Sequence, residues 1–275
     1  MIAGIIGGTG KMGRLFGAVL SKHGFEVRVS GRKTELTNRQ LAEECDVVMV
    51  SVPIRSTVQV IGEIAPLLGK EQLLCDLTSL KAAPVEAMLR SGAQVLGMHP
   101  LFGPTVPSLH SQTVILTPAR CSTPIASRIP DILRAEGADL VIMDPDTHDR
   151  LMAVIQGLTH FGNLCMADAI RRSGTDLAAA LGATSPVYRI QMGLIGRLLS
   201  QDPALYGDIL QLNPHVPGVL ASFEAAAADL RARVEGGDLP SFVEFFERAS
   251  ETYRPYLDQA ASETDALIGF LAERR

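Results

Sequence analysis

Short apolar runs alternate with amphipathic stretches through the first half of the chain, and that alternation predicts its architecture. Ile2–Gly7, Phe25–Ser30, Val47–Val52, Leu73–Asp76, Val95–Met98, Thr113–Thr117 and Asp139–Met143 are strand-sized, rich in Val, Ile and Leu, and bounded by Gly, Pro, Asp or Ser. Between them, Lys11–Lys22, Arg39–Glu44, Ser56–Leu67, Ala82–Arg90 and Thr123–Ala135 carry apolar residues at helical spacing. Strand–helix alternation of this kind specifies a doubly wound, mostly parallel sheet with helices on both faces. Beyond Asp144 the strand pattern stops. Asp144-Pro145-Asp146 reads as a helix start: a capping side chain, Pro in the first turn, an early acid. Helical patterns follow at Pro145–Arg172, Thr184–Ser200, Pro203–Leu212, Val216–Glu235 and Leu239–Ala272, with Gly236-Gly237 as the turn before the last. The expected organisation is an α/β domain over 1–144 and an all-helical domain over 145–275.

The first strand runs into Gly8-Thr9-Gly10-Lys11-Met12-Gly13. A bare GxGxxG says little, but here it ends a strand, opens a helix and sits in a strand–helix–strand unit, the context of a Rossmann dinucleotide site. Gly8 is expected to make the tight turn and Gly10 to admit a pyrophosphate. Gly13 would let helix and strand pack closely, with the helix N-terminus facing the negative charge. At the end of the second strand an NAD site usually places a carboxylate for the ribose 2′-hydroxyl. This chain has Ser30-Gly31-Arg32-Lys33 instead. Ser30 and Arg32 suit a 2′-phosphate, so NADP is the preferred expectation and NAD the alternative; the cations read otherwise as solvated loop charges.

Composition narrows the class. The 275 residues are 47% hydrophobic and 20% charged with a net charge of −5, a globular composition without the basic excess of a nucleic-acid binder. No apolar run approaches a membrane span. The chain opens directly on a strand and glycine loop where a secretory leader would show a basic and then an apolar stretch, so the expected location is cytoplasmic. Cys45, Cys75, Cys121 and Cys165 are scattered without a CxxC pair, which predicts reduced thiols in apolar surroundings and no metal site.

Reactions in such folds occur beyond the carboxyl ends of the parallel strands. Two neighbouring segments end there in polar groups: Asp76-Leu77-Thr78-Ser79-Leu80-Lys81, and His99-Pro100-Leu101-Phe102-Gly103-Pro104. If their strands lie parallel, Ser79 and His99 emerge on one edge, and the histidine is placed for proton transfer. GGTGKMGRLF (Gly7–Phe16), VSVPI (Val50–Ile54), DLTSLK (Asp76–Lys81), GMHPLFGP (Gly97–Pro104), QGLTHF (Gln156–Phe161), SPVYR (Ser185–Arg189) and GRLLSQDPALYGDI (Gly196–Ile209) together resemble the prephenate/arogenate dehydrogenase family, in its order. The resemblance is greatest to the catalytic portion of bacterial enzymes fused to a chorismate mutase. No mutase segment precedes Met1, so the freestanding form is expected.

That resemblance implies an oxidative decarboxylation of prephenate to 4-hydroxyphenylpyruvate by a homodimer paired through the helical domain, without a metal. Hydride leaves the ring carbon bearing the 4-hydroxyl, His99 accepts the hydroxyl proton, and Ser79 bonds the same hydroxyl or orients the imidazole. It further implies that Arg197 holds a substrate carboxylate, that His160 and Tyr206 contact substrate, and that Ser51, Val52 and Pro53 join the glycine loop around the cofactor. His110, His148 and His215 have no such support and read as surface residues. Arogenate would call for a carboxylate to pair its ammonium, whereas the positions nearest the motifs, Thr105 and Gln191, are neutral. This favours prephenate over arogenate; an amino-deoxyprephenate would need less from a base at the 4-position, and retention of Ser79 and His99 favours the hydroxylated substrate. Reductases of similar layout that use a lysine from the helical half are disfavoured, because no lysine follows Lys81. A non-enzymatic NADP-binding redox sensor would have no use for Ser79, His99 and Arg197 together.

Overall fold

The computed structural model describes residues 1–273. Seven strands, β1 (Ile2–Ile6), β2 (Glu26–Ser30), β3 (Val47–Val50), β4 (Leu73–Asp76), β5 (Gln94–Pro100), β6 (Thr113–Arg120) and β7 (Asp139–Ile142), form one sheet in the order β2-β1-β3-β4-β5-β6-β7. The first five run parallel; β6 pairs antiparallel with β5, and β7 parallel with β6. Because successive side chains point to opposite faces, the sheet has two cores. Val47, Met49, Leu73, Leu96 and Met98 pack on one side with Phe16 and Leu20 of α1 (Lys11–Lys22) and with Ile129 and Ile132 of α5 (Ile125–Ala135). Val48, Val50, Leu74 and Val95 pack on the other. Their partners are Leu41 of α2 (Asn38–Glu44), Ile61 and Ile64 of α3 (Ile54–Ile64), and Val85 and Met88 of α4 (Ala82–Met88). This is the expected Rossmann arrangement, a mostly parallel sheet followed by a helical region.

The helical region comprises α6 (Pro145–Met152), α7 (Thr159–Arg172), α8 (Leu177–Gly182), α9 (Pro186–Leu199), α10 (Pro203–Leu212), α11 (Val216–Gly236), α12 (Leu239–Tyr253) and α13 (Leu257–Ala272). As expected, Asp144 caps α6, accepting from the backbone N–H of Asp146 and Thr147 at 3.1 and 2.9 Å. Three features depart from the sequence reading. The long helix expected over 145–172 is interrupted by a π-helical segment at Ala153–Leu158. The pattern over 239–272 breaks into a 3-10 turn at Arg254–Tyr256, where Pro255 has no N–H to donate. The short α8 escaped notice, since six residues carry little periodicity; its start is fixed by Asp176, whose carboxylate accepts from the Ala178 N–H at 3.0 Å.

By packing, the chain forms two compact units, Met1–Gln156 with Ala204–His215, and Gly157–Pro203 with Val216–Arg275. The first therefore includes α6, the π segment as far as Gln156, and most of α10. In the second, α7, α8, α12 and α13 contain no buried residue, and large apolar side chains such as Val187, Leu239 and Phe246 stand open. No helix among the described residues is long and apolar enough to cross a membrane.

Candidate active site

The glycine segment forms as predicted, except that the turn falls one residue earlier. The left-handed backbone of the turn is at Gly7 (φ 81°), where a Cβ would lie 2.2 Å from the Ser51 carbonyl oxygen. Gly8 instead permits close packing: a Cβ there would meet Val29 Cγ1 at 2.5 Å. At Gly13 a Cβ would sit 2.7 Å from the Gly8 Cα, which is why α1 can start directly against the loop. Gly10 is the N-cap of α1 and supplies no side-chain cap, so the first N–H groups, beginning with Lys11 and Met12, remain available to an anion.

Around this turn lies a cavity of about 630 Å³ lined by Gly7, Thr9, Gly10, Arg32, Asn38 and the Ser51-Val52-Pro53 loop, among others. Its volume suits a nucleotide cofactor, and among the described residues no carboxylate lines it. Ser30 does not face it. That residue is buried, and its hydroxyl donates to the Asn38 side-chain oxygen at 2.7 Å, so the polar group presented there is Asn38. Arg32 is exposed at the rim. The fit to a nicotinamide dinucleotide thus rests on the glycine cradle, the uncapped helix end and a cavity of matching size.

β4 and β5 are parallel neighbours, with Asp76 beside Gly97, so Ser79 and His99 do leave the same edge. Ser79 is half-buried in the loop after β4. His99 lies inside β5, which runs two residues further than predicted, and it is only 2% exposed. Its Nδ1 is 2.8 Å from Nε2 of His148, whose Nδ1 is in turn 2.7 Å from the Asp149 carboxylate. His148, expected on the surface, is completely buried at this position; His110 is exposed, and His215 is half-buried beside Asp146 at 3.2 Å. The signal missed was the His148-Asp149 dipeptide in the first turns of a helix, which puts a histidine and its carboxylate partner in the chain together.

The carboxylate determines the hydrogen positions. Asp149 can only accept, so His148 donates from Nδ1 and carries a lone pair on Nε2; His99 must then donate from Nδ1 and keep its own lone pair on Nε2. That Nε2 lies 3.3 Å from the side-chain nitrogen of Gln156, which donates to it from the π-helical segment. Short π segments frequently occur at functional sites. His99 is thus less open than the sequence suggested, with both nitrogens occupied and Nε2 covered by a neutral amide.

The electrostatics agree with this assignment. Burial, with the neighbouring His148 and Lys81, holds His99 well below the ordinary histidine range. Burial also lowers His148, against the opposing pull of Asp149. For Asp149 burial works against ionisation. The bond from His148 and those from the backbone N–H of Ala82 (3.0 Å) and Lys81 (2.8 Å) outweigh it, keeping the carboxyl below its usual range. Asn213 braces the same residue, donating to the Asp149 carbonyl at 2.7 Å. The result is a carboxylate–imidazole–imidazole chain ending in a neutral nitrogen base.

Tyr206 lies on α10, which is tied to the start of α3 by an ion pair between Arg55 and Asp208, with Arg55 also donating to Gln211 at 2.6 Å. The pair anchors α10 one turn from the Val52-Pro53 loop. Arg197 and His160 belong to the second unit. Arg197 is exposed on α9 and its guanidinium makes no ion pair with a described residue, while His160 is half-buried on α7. Among the described residues no cluster of three or more His, Cys, Asp or Glu could hold a metal. Cys45 and Cys75 are buried as expected, with burial pushing the Cys45 thiol up to about 11, but Cys121 and Cys165 are exposed.

Comparison with known proteins agrees on the family. Residues 16–142 match the family model for the prephenate dehydrogenase nucleotide-binding domain, and residues 144–248 match that for the prephenate dehydrogenase dimerization domain. The chain is 33% identical over 283 residues to the probable arogenate/prephenate dehydrogenase of Methanocaldococcus jannaschii, covering 96% of this chain and 64% of that protein. It is 32% identical over 269 residues to the T-protein of Haemophilus influenzae, covering 96% and 70%. Its fold is similar to that of the A. aeolicus prephenate dehydrogenase crystallised with hydroxyphenyl propionate and NAD+, with a TM-score of 0.74 at 20% identity, covering 93% and 98% of the two chains. A nucleotide-binding unit of the dehydrogenase type, a buried neutral histidine at the edge of its sheet and two family models in tandem lead to one assignment: the chain belongs to the prephenate/arogenate dehydrogenase family.

Proposed function

We propose that this chain oxidatively decarboxylates prephenate to 4-hydroxyphenylpyruvate, with NADP preferred to NAD and with His99 as the general base. The observation that carries the reading is the chain from Asp149 through His148 to His99. It fixes a lone pair on the outward nitrogen of a neutral imidazole. The bound nicotinamide supplies the acceptor for the hydride released from the ring carbon that carries the 4-hydroxyl. As that C–H bond breaks, the hydroxyl takes the place of the Gln156 amide on His99 Nε2 and gives up its proton there. The new ketone withdraws electrons from the bond to the ring carboxylate, carbon dioxide leaves, and the electron pair completes the aromatic ring, whose oxygen recovers a proton as the phenol.

Ser79 is assigned to the same hydroxyl. Arg197 is assigned to a substrate carboxylate, where a planar guanidinium can bind bidentately, and His160 and Tyr206 to further substrate contacts. Neutral residues at Thr105, which is exposed, and Gln191, whose amide donates to Asn163 at 2.8 Å, support prephenate over arogenate. The absence of a carboxylate around the adenosine end of the cavity, with Arg32 at its rim, supports NADP. The open apolar positions of α12, within the segment matched to the dimerization model, support a homodimer.

Steady-state turnover measured with prephenate and arogenate, each against NADP and NAD, tests the reading directly. The highest kcat/KM is expected for prephenate with NADP. Turnover of arogenate alone would reassign the substrate, and no cofactor reduction with either would overturn the enzymatic proposal.

A further inference from the structure

Resting on the reading of His99 as the base, we infer that Lys81 is a positioning residue for it: its buried ammonium lies on the His99 face of the sheet and opposes a second positive charge there. Lys81 and Asp76 are both completely buried, and the lysine Nζ donates to the Asp76 carboxylate and, at 2.8 Å, to the Met98 carbonyl oxygen; burial pulls the lysine below and the carboxyl above their ordinary ranges, and the bond between them opposes both shifts. Asp76, Gly97 and Thr117 sit side by side on β4, β5 and β6. Direct cross-strand neighbours share a face, and so do residues two apart on one strand. Asp76, Gly97, Thr117 and His99 therefore project together.

Gly97 leaves the gap through which the lysine reaches. A Cβ at that position would lie 3.2 Å from Lys81 Cδ and 2.2 Å from Thr117 Oγ1. The stem of Lys81 thus passes over Gly97 and delivers a cation beside the peptide that precedes His99. The backbone N–H of the same lysine donates to Asp149 at 2.8 Å. One residue thus bonds the carboxylate that begins the relay and the peptide that precedes the imidazole at its end.

A purely structural role does not call for a cation here. Taking a charge out of water costs several kcal/mol even after relaxation, and apolar residues of similar volume often replace a buried ion pair without loss of stability. A cation is justified by what it does to its neighbours. The groups facing His99 are the neutral imidazole of His148, with Asp149 behind it, the amide of Gln156, and the Lys81–Asp76 pair, whose carboxylate pulls His148 upward while the ammonium opposes a charge on either ring. A second positive charge on His99 is opposed by the first on Lys81. Burial sets most of the resistance to protonation, His148 adds to it, and the lysine charge reinforces both, so the base stays free of protons at a pH where an isolated imidazole would begin to titrate.

The test removes both charges together, Asp76→Asn with Lys81→Met, so that neither is left stranded. In protein labelled with ¹⁵N-histidine and without substrate, the titration of His99 is expected to move to higher pH. The acid limb of the kcat/KM profile should move with it, giving about a tenfold loss on that limb that is recovered by raising the pH. An unmoved His99 titration, or a loss equal at all pH values, overturns the inference. Lys81 itself can be read in the unaltered protein from its ¹⁵Nζ resonance: an ammonium at working pH is required, and a neutral amine overturns the inference even if the double variant does not fold. Because the NMR titrations need no turnover, a protein inactive on prephenate with a shifted His99 would refute the proposed reaction alone.

Discussion

Replacing Asp149 with Asn removes one charge and changes almost no volume, yet it should reverse the base. In the parent, one carboxylate oxygen accepts from His148 Nδ1 and the Lys81 N–H, while the other accepts from the Ala82 N–H. An amide has only one acceptor atom. If its oxygen faces His148, its NH₂ opposes the Ala82 N–H; if its NH₂ faces His148, it opposes the Lys81 N–H and forces a lone pair onto His148 Nδ1. In that second orientation every donor along the chain reverses, and His99 carries its hydrogen on Nε2, where no proton can be accepted. Losing charge-assisted bonds at a nearly buried carboxylate should cost about 1.5–3 kcal/mol of stability, lowering the melting temperature by roughly 5 °C. The catalytic loss should be that of losing a general base, about 10²–10⁴ in kcat, with a much smaller change in KM. Steady-state reduction of NADP with prephenate, alongside ¹⁵N spectra that distinguish the imidazole tautomers, measures both. Reversed tautomers with a kcat still within a few-fold of the parent would refute the relay.

Other outcomes follow from the same geometry. His99 and His148 both resist protonation when folded, whereas the unfolded chain titrates near 6.5. As pH falls through that value only the unfolded state gains protons, so stability should decline from pH 8 towards pH 5; His99→Asn should flatten the slope of melting temperature against pH, and an unchanged slope would count against the assignment. Arg32→Ala should raise the KM for NADP about tenfold, the scale of one lost charge-assisted contact, and leave that for NAD nearly unchanged; equal effects on the two would remove Arg32 from the phosphate site. Phe242→Asp with Phe246→Asp should convert a dimer to a monomer in sedimentation velocity, because both side chains stand open on α12; an unaltered dimer would place the interface elsewhere.

Local pattern determined much of this protein. The seven strand positions, the glycine turn and the Asp144 cap depend on interactions within a few residues, or on an apolar period that any packing partner would satisfy. The edge position of Ser79 and His99 was legible too, since chain direction in a strand–helix alternation fixes which ends of the strands coincide. Even the lack of an acid at the end of β2 could be read, although which side chain faces the cofactor could not: Ser30 turns inward to Asn38, eight residues on, and only packing decides that.

Most of what escaped the sequence at the site is long-range. His148 resembles any polar residue near the start of a helix until α6 is laid against β5, 49 positions away. The break to π-helix at Ala153–Leu158 leaves no periodic signature, yet it carries the amide that covers His99 Nε2. Lys81 looks like a solvated loop cation until Gly97 and Asp76, on adjacent strands, are seen to enclose it. The sequence by itself decided which residues could do chemistry and which end of the sheet they would occupy, because alternation and turn geometry are short-range. The tertiary structure decided their protonation, because that depends on burial and on partners the chain brings together only by folding.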